Sequence, residues 1–332
     1  FWSGANPGGR SLRATMNDSL SLAVLADIHG NWPALQAVAE DIALWKPDLV
    51  LVNGDIVNSG PDNVACWQFV RERRAQDGCL VFFLVFVYVW WLVVRGNHED
   101  YVAAWAEPGQ PENGPVYELS RFSHWTFHQM RGQVAELAAL PDRWEFAAPD
   151  GARLVAMHAS LLGNRAGIYP HTTDADVRSR IDLSAALFVT SHTHIPHQRH
   201  IGRTELVNTG SVGLTGDGDH RAAYARITWD RRVGWQAKIQ RVAYELAATV
   251  QAFVESGFLA EAGPLAVLTL VELRSALDAK TRWTALYGDA VLQGKITVAE
   301  AVDQFLDSPE FHPFLGSDGA LMAQRERQEL LS

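Results

Sequence analysis

The sequence predicts an α/β protein built on a largely parallel β-sheet. Apolar strand patterns alternate with helical patterns through the first half of the chain, an order that gives parallel strands joined by crossover helices. Each of these strand patterns ends in polar side chains, as expected where a site forms at the carboxyl ends of parallel strands. The 332 residues are 48% hydrophobic and 20% charged, so the chain can bury a large core.

The first five elements follow this alternating order. They are a strand at 20–27, a helix at 31–45, a strand at 48–55, a helix at 61–76 and a strand that ends at residue 94. Asn31 is a suitable N-cap for the first helix because its side chain can accept a bond from a free backbone N–H. Pro33 stands early in that helix, where a missing N–H costs nothing.

The third strand of this series ends an unusually long apolar run, Leu80 to Val94. Its 15 residues are fewer than the roughly 20 that a membrane-spanning helix needs, and its aromatic and β-branched residues favour a strand. We therefore predict no membrane partner and a buried strand at about Trp91 to Val94. The segment from Leu80 to Trp90 has no explanation in the sequence.

The rest of the chain changes from mixed to helical patterns. We expect mainly helices at 99–140, a strand at 153–160, a helix near 174–186, strands at 186–196, 203–213, 222–229 and 235–244, and helices beyond 245. This pattern suggests a flexible leader at 1–18, an α/β domain at 19–245 and a helical extension at 246–332. The extension is expected to pack on the domain, with a cap over the site or a dimer interface as alternatives.

Charge and cysteine content restrict the class of protein. The net charge of −10 and the pI near 5.6 argue against a nucleic-acid polymer as the partner of a basic surface. The two cysteines, Cys66 and Cys79, supply neither a disulfide framework nor a cysteine-rich zinc site. A cytoplasmic location fits this cysteine usage.

Five polar clusters follow the strand patterns. They are Asp27 with His29, Gly54 with Asp55, Asn97 with His98 and Glu99, His158 alone, and His192 with His194. In an extended segment, residues two apart point the same way, so each spaced pair can face one ion. Carboxylate and imidazole ligands together suit manganese, iron, zinc, cobalt or nickel. Two such ions could hold a phosphoryl group between them.

The order D-x-H, G-D, G-N-H-[DE], H and H-x-H is similar to that of the calcineurin-like metallophosphoesterases. Longer stretches between residues 21 and 245, such as "LADIHGNWPALQAV" and "VRGNHED", resemble the small bacterial phosphodiesterase branch of that superfamily. The resemblance implies a two-layer β-sandwich flanked by helices, with the metallophosphoesterase domain at 19–245.

The resemblance also implies a role for each matching residue. The ligands of the first metal would be Asp27, His29, Asp55 and His194. Those of the second would be Asp55, Asn97, His158 and His192, with Asp55 bridging the two ions. Asn97 and His98 would contact the substrate, and His98 would protonate the leaving oxygen. Glu99 would orient His98 and favour its charged form.

The predicted activity is that of a dinuclear metal-dependent phosphodiesterase acting on a small or nucleotide-like phosphate ester by metal-bound hydroxide attack. Manganese is favoured, with iron, zinc, nickel or cobalt as alternatives, and a homo-oligomer is compatible with the sequence. A protein Ser/Thr phosphatase and a dinucleoside polyphosphate hydrolase remain alternatives, although the best-known members of both carry an arginine just after G-D that "GDIVNSGP" lacks. A non-enzymatic scaffold of the same fold is the third alternative.

The chain departs from the branch at four positions near the expected substrate mouth. Ser191 replaces the glycine before H-x-H, and Thr209 replaces a proline. Asn58 and Ser59 stand where the branch has glycine and tyrosine. We expect Ser191 to keep the ligands but to shift His192. His197 and His200, just beyond the motif, are expected in a solvated loop.

Overall fold

The structure, a computed structural model, describes residues 5–6, 9–13, 19–74 and 90–315. Its strands are β1 Ala5–Asn6, β2 Gly9–Arg13, β3 Ser19–Leu25, β4 Leu49–Asn53, β5 Trp90–Val94, β6 Arg143–Ala147, β7 Arg153–Met157, β8 Leu187–Thr190, β9 His197–Ile201, β10 Thr204–Asn208, β11 Ala222–Asp230 and β12 Gly234–Val242. Its helices are α1 Trp32–Trp45, α2 Asn63–Arg73, α3 Asn97–Ala104, α4 Gly114–Gln129, α5 Val134–Ala138, α6 Asp174–Arg178, α7 Leu246–Glu255, α8 Phe258–Glu261, α9 Leu265–Ser275, α10 Ala279–Leu292 and α11 Val298–Leu306, followed by a 3₁₀ turn at Pro309–Phe314.

Two sheets form the centre of the fold. The smaller sheet has the order β12-β11-β3-β4-β5, in which β3, β4 and β5 run parallel. The larger sheet has the order β1-β2-β6-β7-β8-β10-β9 and mixes parallel with antiparallel pairs. Apolar side chains from both sheets share one core, so the sheets pack face to face. The predicted α/β class and two-layer sandwich with flanking helices are confirmed.

Strand β3 shows why the strand patterns are continuously apolar. Leu22 and Val24 face the other sheet, whereas Ala23 and Leu25 face the helices on the outer side. Successive side chains of a strand point to opposite faces, and here both faces are covered. The polar residues that follow such a strand therefore stand out sharply in the sequence.

The end of the long apolar run is strand β5. It pairs in parallel with β4, and α3 begins at Asn97 directly beyond it. The prediction that this part of the run is a buried strand that delivers the Asn97 cluster is confirmed. Of the unexplained segment from Leu80 to Trp90, Trp90 begins β5, whereas residues 80–89 lie outside the described residues, as does Cys79.

Of the expected flexible leader at 1–18, the structure describes residues 5–6 and 9–13, which form strands. Strand β2 pairs in parallel with β6, and the short strand β1 pairs with β2 at the edge of the larger sheet. Strands near the edge of a sheet can be held mainly by backbone hydrogen bonds, so the five residues of β2 need no apolar pattern to join it.

Three further elements depart from the sequence-based prediction. The helix expected near 174–186 is only the short α6, and strands β6 and β9 were not foreseen. His197 and His200 lie on β9, which pairs with β10, rather than in a loop. Strand β9 is the last strand of its sheet and its side chains are partly solvent-exposed, so it carries no apolar signal.

The predicted C-terminal helices are present as α7 to α11. They enclose their own core around Trp283 and Phe305 and share a second core with Leu214, which follows β10. Arg121 on α4 donates a hydrogen bond from Nε to the carbonyl of Glu261 at 3.0 Å. The extension therefore contacts the sandwich domain. In the described part of the chain, no helix has the length and apolar character to cross a membrane.

Candidate metal centre

Nine predicted site residues lie together at one end of the sandwich. Each follows a strand: β3, β4 and β5 of the smaller sheet, or β7 and β8 of the larger. They are Asp27, His29, Asp55, Asn97, His98, Glu99, His158, His192 and His194. Because both sheets present strand ends at this edge, the fold brings distant motifs to one cluster.

The first group of ligand atoms comes from Asp27, His29 and His194, which lie within 4.8 Å of one another. Nε2 of His194 is 3.5 Å from Oδ1 of Asp27 and 3.1 Å from Nε2 of His29. Three ligand atoms that converge this closely can hold one divalent ion.

The second group comes from Asp55, His158 and His192, whose ligand atoms also lie within 4.8 Å of one another. Nε2 of His158 is 3.2 Å from Oδ2 of Asp55 and 2.9 Å from Oδ1 of Asn97. Asp55 Oδ2 is also 3.8 Å from Nε2 of His29, so this carboxylate reaches both groups. Its position fits a bridge between two ions.

Two buried carboxylate oxygens show that these residues fit metal ions. Asp27 Oδ1 and Asp55 Oδ2 are shielded from solvent, and neither accepts a hydrogen bond from any described residue. A buried carboxylate needs positive charge close to it. The histidine nitrogens at 3.2 Å from Asp55 Oδ2 and 3.5 Å from Asp27 Oδ1 can supply that charge when protonated, and a metal ion bound between them would supply it instead. The oxygen and imidazole donors match the mixed ligand set of manganese, iron or zinc.

Backbone carbonyls orient two of the imidazole rings. Nδ1 of His29 lies 3.1 Å from the carbonyl oxygen of Asn58, and Nδ1 of His158 lies 2.8 Å from that of Asn53. A proton on each Nδ1 leaves Nε2 to face the cluster. Such outer hydrogen bonds set the tautomer that a metal-binding histidine needs.

Strained backbone is concentrated in this cluster. Five of the predicted ligands have a φ between 50° and 70°: Asp27, His29, Asp55, His192 and His194. This left-handed region is uncommon for residues other than glycine and persists only where the surroundings hold it. At these positions it occurs in turns that follow the strands, where the side chains of the spaced residues converge on the cluster.

Two glycines allow the loops to approach. A Cβ atom at Gly96 would collide with the carboxylate and the backbone nitrogen of Asp55. At Gly54, where φ is +94°, a Cβ atom would lie 2.5 Å from Nδ1 of His158. These contacts give a steric reason for glycine in the G-D and G-N-H motifs.

The histidines of the cluster fall into two groups, one with lowered and one with raised pKa values. Burial lowers the pKa of His29 well below its ordinary value, and burial together with His158 lowers that of His192 to about 3. Burial opposes a charge on His158, yet the negative Asp55 outweighs it and raises the pKa of His158 to about 10. In the same way Asp27 raises the pKa of His194 despite burial. The metal-free cluster thus compensates its carboxylates with protons.

His98 stands beside the two groups of ligands. Its backbone N–H donates to Oδ1 of Asp55 at 2.8 Å, and its ring nitrogen Nε2 lies 3.9 Å from Oδ2 of the same carboxylate. Burial lowers the pKa of His98 to about 4, although Asp55 opposes the shift. The ring is therefore neutral near pH 7 without a ligand, and the negative charge of a bound phosphate would favour its protonation.

Glu99 has contacts that the sequence analysis did not anticipate. Its buried carboxylate accepts hydrogen bonds from the backbone N–H groups of Gly96, Asp55 and Ile56, each at 2.8 Å. The N–H of Val57 also donates to it, at 3.3 Å. The expected role was to orient His98, but among the described contacts the carboxylate binds backbone instead. These hydrogen bonds connect the turn at Asp55 to the start of α3.

Two side chains outside the motifs lie next to His98. The Tyr101 ring meets the His98 ring edge-on at 5.2 Å between centroids, and the guanidinium of Arg165 lies 4.6 Å above the Tyr101 ring. Tyr101 is one turn beyond His98 on α3, a spacing that sequence reasoning could have noticed. Arg165 comes from a loop after β7, and no sequence signal places it here.

Comparisons with known proteins agree with this architecture. A family model described as calcineurin-like phosphoesterase matches residues 20–201, and the chain belongs to that family. A metallophosphoesterase from Sphaerobacter thermophilus is similar in fold, with a TM-score of 0.57 and 22% sequence identity over 78% of this chain and 100% of that one. Hypothetical protein PH1004 from Pyrococcus horikoshii OT3 gives a TM-score of 0.56 and 18% identity over 74% and 97% of the two chains. No curated protein matches the sequence.

Proposed function

We propose that the protein is a dinuclear metal-dependent phosphodiesterase that acts on a small or nucleotide-like phosphate ester. The observation that carries this proposal is a pair of buried carboxylate oxygens, on Asp27 and Asp55, that accept no hydrogen bond and lie among the Nε2 atoms of several histidines. Two divalent ions bound there would neutralise the phosphoryl group and make a water molecule a better nucleophile. Manganese is the metal that we favour, with iron, zinc, nickel or cobalt as alternatives.

The chain's own residues divide the remaining work. Asp27, His29 and His194 would hold one ion, Asn97, His158 and His192 would hold the other, and Asp55 would serve both. Asn97 and His98 would contact the phosphate. Hydrolysis joins the water oxygen to phosphorus and breaks the bond to the leaving group, whose oxygen takes a proton from His98.

The alternatives are less well supported by the residues present. A scaffold without activity has no need of seven converging ligand residues and of strained turns that aim them inward. The arginine expected after G-D in the best-known phosphatases and dinucleoside polyphosphate hydrolases is replaced by Ile56. The acidic net charge favours a small substrate over a nucleic-acid polymer. A cytoplasmic location and a homo-oligomer stay predictions.

Metal analysis and an ester panel test the proposal directly. The purified protein is expected to bind about two divalent ions per chain and, with Mn²⁺, to hydrolyse bis(p-nitrophenyl) phosphate faster than p-nitrophenyl phosphate. Asp55→Asn is expected to lose metal and activity together, because Asp55 contacts both groups of ligands. Asp289→Asn, an exposed substitution on α10, is the matched control. A protein that binds no metal and turns over neither ester with added Mn²⁺ would be a scaffold.

A further inference from the structure

The loop between β7 and α6 forms one rim of the metal centre. It begins at His158 and returns so closely past His192 that a Cβ atom on Gly167 would lie 2.9 Å from Cδ2 of that ring. Its outer part carries Arg165, which is solvent-exposed. The loop therefore spans from the second group of ligands to the side of the site where His98 stands.

Several hydrogen bonds hold this loop in place. Asn164 donates from Nδ2 to Oδ2 of Asp100 on α3 at 2.6 Å. The guanidinium of Arg180 donates to the carbonyl of Gly167 at 2.9 Å, and the backbone carbonyl of Arg180 accepts from the N–H of Leu161 at 2.9 Å. Arg165 thus projects from a segment that is fixed on both sides, directly after a residue bound to α3.

Arg165, Tyr101 and His98 form a continuous series of contacts beside the cluster. One aromatic ring separates the guanidinium from the imidazole, with the two contacts of 4.6 Å and 5.2 Å described above. A guanidinium above a tyrosine ring is held by attraction to the π face, which leaves its N–H groups free at the edges.

Arg165 differs from the other cations near the site in having no acidic partner. Arg95 pairs with Asp100 and Asp142, and Lys280 lies 3.0 Å from a carboxylate oxygen of Glu272. Within the described part of the chain, no carboxylate lies within ion-pair distance of Arg165. An ordered guanidinium with free donors beside a phosphate-binding centre is suited to bind a second anionic group.

We propose that Arg165 binds a phosphate carried by the leaving group of the substrate. The substrates favoured by this contact are diesters or phosphoanhydrides whose leaving group is itself phosphorylated, bound through Arg165 rather than through the arginine after G-D that the best-known dinucleoside polyphosphate hydrolases carry. The inference rests on the proposed function, because it takes the reacting phosphoryl group to lie at the metal centre and the leaving oxygen to lie near His98. Arg165 and His98 contact the same Tyr101 ring, so the guanidinium lies near the place where a leaving group beside His98 would be.

A pair of substrates isolates this contact. With Mn²⁺, kcat/KM is measured for diadenosine diphosphate, whose leaving group carries a phosphate, and for bis(p-nitrophenyl) phosphate, whose leaving group does not. The ratio of interest is kcat/KM for diadenosine diphosphate divided by kcat/KM for bis(p-nitrophenyl) phosphate. Arg165→Gln is expected to lower this ratio about tenfold, which corresponds to the loss of one charge-assisted hydrogen bond. Arg165→Lys is expected to recover part of the ratio, since it restores charge without the planar donors. Arg203→Gln, an exposed arginine on the β9–β10 turn, is expected to match the wild type.

Binding of ADP to the metal-loaded protein, measured by calorimetry, separates this inference from the proposed function. Weaker ADP binding by Arg165→Gln, again about tenfold, supports the contact even if neither diester is hydrolysed, and in that case only the phosphodiesterase proposal fails. An unchanged substrate ratio, or ADP affinity equal to that of the wild type, overturns the inference while leaving the phosphodiesterase proposal intact. Thermal unfolding of each variant confirms that the fold is preserved.

Discussion

The hydroxyl oxygens of Ser191 and Thr209 lie 3.0 Å apart in the buried layer beneath the candidate metal centre. These are two of the positions at which the chain departs from the branch that it resembles. Asn53 donates to the Ser191 hydroxyl at 2.9 Å, and the Thr209 hydroxyl reaches the carbonyl of Gly210 at 3.2 Å. The side chains of Ser191 and Thr209 are therefore adjacent links in one chain of hydrogen bonds, and each hydroxyl is a hydrogen-bond partner of the other.

This relationship predicts that the two hydroxyls are energetically coupled. Ser191→Ala and Thr209→Val should each lower the free energy of unfolding by about 1 to 3 kcal/mol, because each leaves a buried polar group without its partner. The double variant should cost less than the sum by at least about 0.5 kcal/mol. Urea unfolding of the four proteins, without metal, measures this coupling. Additive losses would show that the hydroxyls act independently.

The contacts of Glu99 predict that replacing its carboxylate by an amide destabilises the fold. Glu99→Gln replaces an acceptor oxygen by a donor facing backbone N–H groups, so we expect it to lower the free energy of unfolding by about 2 to 4 kcal/mol. Urea unfolding of the metal-free protein at pH 8 gives the value. Glu107→Gln, on an exposed position beyond α3, should change it by no more than about 0.5 kcal/mol. If Glu99→Gln leaves the free energy of unfolding unchanged, the backbone contacts do not explain the residue, and the role of orienting His98 is favoured again.

The position of His98 predicts a dependence on the leaving group. His98→Gln should reduce turnover of a diester with an alkoxide leaving group by about 10² to 10⁴, and turnover of bis(p-nitrophenyl) phosphate much less, because nitrophenolate leaves without a proton. Metal content should stay at the wild-type level, as measured by elemental analysis. Full activity of the variant on the alkoxide ester would exclude His98 as the general acid.

The smaller sheet and the motifs that follow its parallel strands could be predicted from the sequence. Strand β3 is apolar on both faces and Asp27 follows it at once, so local pattern and site coincide there. The order of the motifs then identified the family, which implied the second sheet. The edge strand β9 escaped prediction because its stability comes from backbone pairing rather than from apolar side chains.

Contacts between motifs and other parts of the chain were beyond sequence reasoning. Arg165 is an ordinary loop residue until the fold places its guanidinium above Tyr101. Likewise, the acidic residue after His98 predicts a partner for a histidine, whereas the close approach of the Asp55 turn offers its carboxylate backbone N–H groups instead. Such contacts depend on how two loops meet in space, which residue spacing within one motif does not encode.

The elevated pKa of His158 predicts that metal binding releases protons. Both of its ring nitrogens face acceptors, the carbonyl of Asn53 at 2.8 Å and Oδ1 of Asn97 at 2.9 Å, and Asp55 raises its pKa to about 10 against the effect of burial. A raised histidine pKa means that the proton is present at every pH below about 10, so an ion can bind Nε2 only by displacing it. Manganese binding between pH 6 and 9 should therefore release this proton, and the apparent affinity should rise with pH by up to about tenfold per unit.

Calorimetry in buffers of different ionisation enthalpy counts the protons that metal binding releases. His158→Asn should release about one fewer than the wild type, and equal counts would contradict a proton held on His158.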